Sequence, residues 1–164
     1  MASAIAAKMA TLKKKQAAIA KEMKTIAKAA FKEMSAAVFK ANPALISFSW
    51  SQYTPYWNDG DTCTFSSNAE YPSITFEAAD GKTVKNDEGS GTLVFFDEED
   101  TDVEYEVPED EYEKYKKQVE KLNVKVSSFL GNFSDDDFLT MFGDHQLITV
   151  KRSGKVETED YEHE

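Results

Sequence analysis

The chain has 164 residues, with 19 Lys+Arg against 30 Asp+Glu for a net charge of -11, and 41% of it is hydrophobic. Its 11 Phe, 7 Tyr and 2 Trp can supply a packed core, which excludes a disordered chain. No run of ~18 apolar residues is present to cross a membrane, and the single cysteine, Cys63, excludes an intrachain disulfide and a thiolate-only metal cage. A cytoplasmic domain of ordinary size with an appendage is expected.

The charge is divided along the chain. Residues 1–41 hold nine Lys and two Glu, a net charge of +7, and only Phe31 and Phe39 among the aromatics. Residues 42–164 carry a net charge of -18. The composition changes at Asn42-Pro43, where proline disfavours helix in the residue before it, so two parts are expected: an Ala/Lys-rich arm and an acidic, aromatic body.

The arm contains no Pro or Gly and is built from strong helix formers. Ile5, Leu12, Ile19 and Ile26 form one apolar row, and Met9, Gln16, Met23 and Ala30 a second. Steps of four and three residues alternate between them, as a coiled-coil seam requires, with Gln16 as a polar register-setting position. After Ala30 the stripe moves to Phe31, Met34 and Val38, which predicts packing against the body from there on. Self-association through the seam is the leading reading, packing of the arm along the chain's own domain comes next, and two others compete. An amphipathic targeting peptide is one, although such peptides are Arg-rich and this arm has no Arg. An anionic membrane or nucleic acid held by Lys13-Lys14-Lys15 is the other, although three adjacent lysines point around a helix.

In the body, Ile46, Phe48 and Trp50 alternate with Ser47, Ser49 and Ser51, the period of a half-buried strand. Pro55 ends it, and Asn58-Asp59-Gly60-Asp61 supplies residues that tolerate positive φ in a hairpin turn. Cys63 and Phe65 are expected on the returning strand, with Cys63 a small buried hydrophobe. Further strands are expected at Ser73 to Glu77, at Thr92 to Phe96 and at Val103, Tyr105 and Val107, with Asp80 to Gly91 as a loop. Consecutive strands joined by turns predict an antiparallel meander. Pro108 with Glu109, Asp110, Glu111 and Glu113 opens a helix whose buried face is Tyr112, Tyr115, Val119 and Leu122. Ser134 caps a short helix carrying Phe138, Leu139, Met141 and Phe142, which Gly143 stops. A hairpin from Gln146 to Glu159 closes an α+β fold.

Three candidate sites emerge. Trp50, Gln52, Tyr53, Tyr56, Trp57, Asn58, Asp59 and Asp61 place aromatics and carboxylates beside a constrained turn, a composition able to grip a small ligand or nucleotide; aromatics filling a core beneath an Asn/Asp turn are the competing explanation. An oxygen-ligand cation site at Asn58, Asp59 and Asp61 is a further reading, although the EF-hand pattern is absent. The acidic runs Asp97 to Asp100, Glu109 to Glu111 and Asp135 to Asp137 can mimic nucleic-acid phosphates toward a basic host protein, or simply solubilise the domain and cap helices. The same charge disfavours direct nucleic-acid binding by the body. Asp144-His145, with His163 near the end, could serve a base or a metal, yet no nucleophile motif accompanies them, and no phosphate loop or dinucleotide fingerprint calls for a cofactor.

The Trp50 to Asp61 segment, with Phe142-Gly143-Asp144-His145 and the closing Glu159-Asp160-Tyr161-Glu162-His163, resembles a family of small uncharacterised proteins of T4-like bacteriophages and some bacteria. The resemblance covers Pro43 to the C-terminus and implies no catalytic residue. It implies a cytoplasmic phage-type accessory protein acting on a host factor during takeover or countering a defence system. Combined with the heptad stripe, the leading expectation is a non-enzymatic protein that oligomerises and binds a host protein. A ligand-binding, hydrolytic pocket at the aromatic turn and an acidic DNA mimic are the alternatives.

Overall fold

The computed structural model describes residues 2–86, 92–96 and 104–163. It opens with α1 (Ala2–Ala41), about 60 Å long at 1.5 Å per residue. Residues 3–26 are exposed throughout. Phe31, Ser35 and Phe39 are buried and Ala27 and Val38 pack against the core. Met34, expected in the packing row, points outward instead: a helix turns 100° per residue, and Phe31, Ser35 and Phe39 complete a face at steps of four that leaves Met34 on its flank. The last part of α1 is thus a component of the body's own core.

After Pro43 the chain enters β1 (Leu45–Tyr53). The remaining strands are β2 (Ser66–Ser67), β3 (Ser73–Glu77), β4 (Thr83–Asn86), β5 (Leu93–Phe96), β6 (Glu104–Glu106), β7 (Gln146–Lys151) and β8 (Val156–Asp160), with α2 (Glu109–Leu130) and α3 (Asp135–Phe142) between β6 and β7. Together they make one eight-stranded sheet in the order β6-β5-β4-β3-β1-β7-β8, with β2 also on β1. Every pairing is antiparallel. The meander holds from β3 to β6; β7 reaches the other side of β1 only after both helices. No helix among the described residues is long and apolar enough to cross a membrane.

β1 lies inside the sheet between β3 and β7 and turns Leu45, Phe48, Trp50 and Gln52 inward. Phe48 lies opposite Ile74 and Val150, and Trp50 opposite Ile148, so these residues share one face. Ser49 and Thr149 oppose each other on the polar face. Strict alternation fails at the strand's start, where a register shift between Leu45 and Ser47 lets both Leu45 and Phe48 point inward and leaves Ile46 half-buried. Arg152 secures the bulge: its amide donates to the Ile46 carbonyl at 3.0 Å and its Nε to the Leu45 carbonyl at 2.8 Å.

The helices cover the aromatic face. Phe31 of α1 meets Trp50, Phe129, Phe133 and Phe142 at ring-centre distances of 6.0, 5.2, 5.3 and 5.3 Å. Tyr115 of α2 meets Phe95 edge-on at 5.4 Å. α2 runs further than its Tyr112 to Leu122 face indicates, burying Val126, Phe129 and Leu130 as well. Ser134 caps α3 in a reciprocal capping box with Asp137.

Four further details differ from the expectations above. The stretch expected to be a loop, Asp80 to Gly91, contains β4, whose Val84 is buried between Phe76 and Phe95; residues 87–91 lie outside the described residues. Cys63 and Phe65 lie in the loop after β1, half-buried, because β2 pairs with β1 through Ser66 and Ser67 alone, opposite Tyr53 and Gln52. Tyr105 is exposed on the β6 edge, whereas Val107 is buried; Val103 lies outside the described residues. Leu139 of α3 is exposed on the flank of the helix opposite Phe138 and Met141.

Candidate functional site

Trp50 and Gln52 belong to the interior. Both are fully buried, and the Gln52 side chain ties three segments together: Oε1 accepts from the Trp50 indole at 3.1 Å, and Nε2 donates to the carbonyls of Phe138 at 3.1 Å and Gly143 at 2.6 Å. These two residues are framework, and nothing outside can stack on them.

Beyond them the chain leaves the sheet and forms an exposed loop, residues 54–65. Asp144 anchors its start. The Asp144 carboxylate accepts from the Thr54 amide at 2.8 Å, the Thr54 hydroxyl at 2.7 Å and the His145 amide at 2.8 Å. At its tip, Asp59 and Gly60 both have positive φ, 44° and 90°, and the Asp61 amide donates to the Asn58 carbonyl at 2.7 Å. Positive φ at both central positions is the reason Asp-Gly stands there. Asn58, Asp59 and Asp61 are exposed, and Tyr56 and Trp57 keep 68% and 75% of their surface open.

The loop meets both ends of the C-terminal hairpin. Gly143 and His145 adopt positive φ, turning the chain from α3 into β7. The Tyr161 amide donates to the His145 carbonyl at 2.8 Å, extending the β7 and β8 ladder by one pair. His163 then stacks on Tyr53 at 3.8 Å and on Tyr56 at 4.6 Å, while Tyr56 stacks on His145 at 5.0 Å and Tyr53 on Tyr161 at 5.6 Å. The two histidine rings are nearly parallel, 5.5 Å apart. Asp144 and His145 thus do come together with Tyr53 and Tyr56. Tyr161 and His163 complete the cluster; the signal for them is their alternation past the end of β8.

His145 Nε2 lies 3.8 Å from Asp144 Oδ1, too far for a hydrogen bond, and Asp144 is already engaged with Thr54. It positions the loop instead of orienting an imidazole base. Among the described residues no group of three or more His, Cys, Asp and Glu is placed to hold a metal. Cavities of about 380 and 320 Å³ lie beside α1 and beside α2; neither is lined by Tyr53, Tyr56, Trp57, Asp59 or His145.

The acidic runs are partly structural. Asp135 accepts from the Ser67 amide at 3.1 Å and hydroxyl at 2.7 Å, and Asp137 closes the α3 cap. Glu109, Asp110 and Glu111 occupy the first turn of α2, where negative charge complements the helix dipole. Asp97 to Asp100 lie outside the described residues.

Several carboxylates are more acidic than usual. The Lys114 ammonium, then the Tyr115 hydroxyl, hold Asp80 well below the usual carboxylate range. Lys155 and Lys151 lower Glu157. Burial raises Asp144, and the hydrogen bonds from Thr54 and the His145 amide more than reverse it. A carboxylate whose folded pKa is depressed stabilises the fold above its unfolded pKa of about 4, and that stability is lost as pH falls through the folded value. Thermal melts are therefore expected to be flat from about pH 5 to 8 and to drop below about pH 4. Asp80→Asn should make the acid slope shallower; an unchanged slope would contradict the assignment.

A second surface lies on α1. Ile5, Met9, Leu12, Ile19, Met23 and Ile26 are each between 47% and 63% exposed, and with Gln16 they line one side of a helix that no other described element covers before Ala27. Comparison with family models, curated proteins and solved structures found no match for this chain.

Proposed function

We propose that the protein is a non-enzymatic interaction protein that self-associates through α1 and presents its aromatic loop to a protein partner. The observation that carries this is the row of large apolar side chains standing in solvent on α1. A helix without tertiary packing is only marginally stable, and contiguous apolar surface of this extent marks association. Burying a Leu or Ile contributes about 1.5 to 3 kcal/mol. The heptad spacing selects another helix as the covering surface, because a flat membrane does not require a seam.

The loop supplies the second contact. Tyr56 and Trp57 project beside Asp59 and Asp61, with Glu159, Asp160 and Glu162 exposed nearby in the chain that forms the stack. Rigid aromatics surrounded by carboxylates suit a partner with a basic rim around an apolar pocket. The resemblance to phage proteins supports a host protein in the host cytoplasm as that partner.

Sedimentation velocity tests the self-association. The intact chain should sediment as a dimer or larger at micromolar concentration, and Leu12→Asp/Ile19→Asp should be monomeric with the body's melting transition unchanged. A monomeric wild-type chain would overturn the proposal. Partner capture should fail for Tyr56→Ala/Trp57→Ala; capture unaffected by that change would remove the loop from the interface.

A further inference from the structure

The proposed self-association leaves the direction of the two helices open, and charge decides it. Resting on that reading, we infer that α1 pairs with a second copy in antiparallel orientation, with Glu22 of each chain beside Lys15 of the other.

The row Ile5, Leu12, Ile19, Ile26 occupies the d positions of the heptad, and Met9, Gln16, Met23, Ala30 the a positions. Lys8, Lys15, Glu22 and Ala29 then flank the seam on one side as g residues, and Ala6, Lys13, Ala20 and Ala27 on the other as e residues. Glu22 is the sole acid before Glu33, so its placement is the strongest constraint on pairing. In a parallel pair, g residues meet e residues of the next heptad. Lys8 would face Lys13 of the second copy, and Glu22 would face Ala27 and find no cation. In an antiparallel pair, g residues face g residues. Setting Ile26 against Met9, Met23 against Leu12 and Ile19 against Gln16 places Glu22 against Lys15 twice by symmetry, and Lys13 against Ala20.

Repulsion between the two bodies favours the same direction more strongly. Residues 42–164 of each copy carry a net charge of -18. Parallel helices would bring the two bodies side by side. The antiparallel register holds their attachment points at Phe31 about 40 Å apart along the helix axis, several times the ~8 Å Debye length at physiological salt. The register also fits the exposed length of α1. Ala29 and Ala30 are small and exposed, leaving room for Ile5 of the second copy next to the body.

Disulfide trapping in the full chain with Cys63→Ser tests the geometry. Met9→Cys and Ile26→Cys chains, mixed and oxidised, should give a cross-linked dimer, and neither alone should. A cross-link from Met9→Cys alone would show parallel helices, and one with Ile19→Cys but not Ile26→Cys a shifted register; either overturns the inference while leaving self-association intact. A monomer by sedimentation defeats both. Glu22→Lys should weaken dimerisation about tenfold, since it replaces two attractive pairs by two repulsive ones. Lys15→Glu/Glu22→Lys should restore it. Equal loss in the double variant would overturn the pairing.

Discussion

Replacing Phe31 by Ala is expected to lower the unfolding free energy by about 4 kcal/mol, the usual scale for a large aromatic removed from a core. Phe31 is only 1% exposed and touches four other rings. Those rings come from β1, from α2, from the link to α3 and from α3 itself, so the cavity would open where every layer meets. Relaxation to fill it is blocked, since Trp50 and Phe129 are held by Phe48 as well. Met34→Ala, three residues along the same helix at 38% exposure, should cost under about 1 kcal/mol. Urea unfolding of the two variants checks the contrast. Similar midpoints would mean that α1 is joined to the body more loosely than its packing indicates. The Phe31 change should also free the arm, because Phe31 is the first fully buried residue of α1.

Local signals in the sequence reach most of the architecture, and they fail where a residue's environment is set from far away. The Ser134 cap, the Gly143 stop and the Asp59-Gly60 turn are readable because each depends on neighbours within a few residues. β4 escapes notice because Thr-Val-Lys-Asn offers one apolar side chain, and its strand character comes from Phe76 and Phe95 on either side. A return strand at Cys63 is suggested by alternation, which says nothing of whether a partner strand runs alongside. The same holds for the site. Aromatics around a turn identify the loop, and Asp144-His145 stands out separately, but the contacts that join them span about ninety residues. In sequence Trp50 is readable both as a strand residue and, with Gln52, as a member of the candidate site. Alternation along β1 sends them to the covered face instead.

Gln52→Leu is expected to destabilise the fold by about 3 kcal/mol, although it replaces a polar residue in the core with an apolar one of similar size. The gain from burying more apolar surface is on the order of 1 kcal/mol. Against it, the Trp50 indole N–H and the Phe138 and Gly143 carbonyls lose the groups they pair with, and an orphaned buried polar group costs about 1 to 3 kcal/mol. The Gly143 carbonyl stands next to Asp144, so loss of the Gln52 amide also loosens the turn that presents Asp144 to Thr54. Tyr56 should then separate from His145. Trp50 is buried and Trp57 exposed, so the variant's fluorescence should shift to the red through Trp50, and a Trp57→Phe background isolates that change. A stable Gln52→Leu protein with unshifted Trp50 emission would show that α3 is anchored by its aromatic contacts alone. The expected outcome instead makes one buried amide the link between the core and the loop.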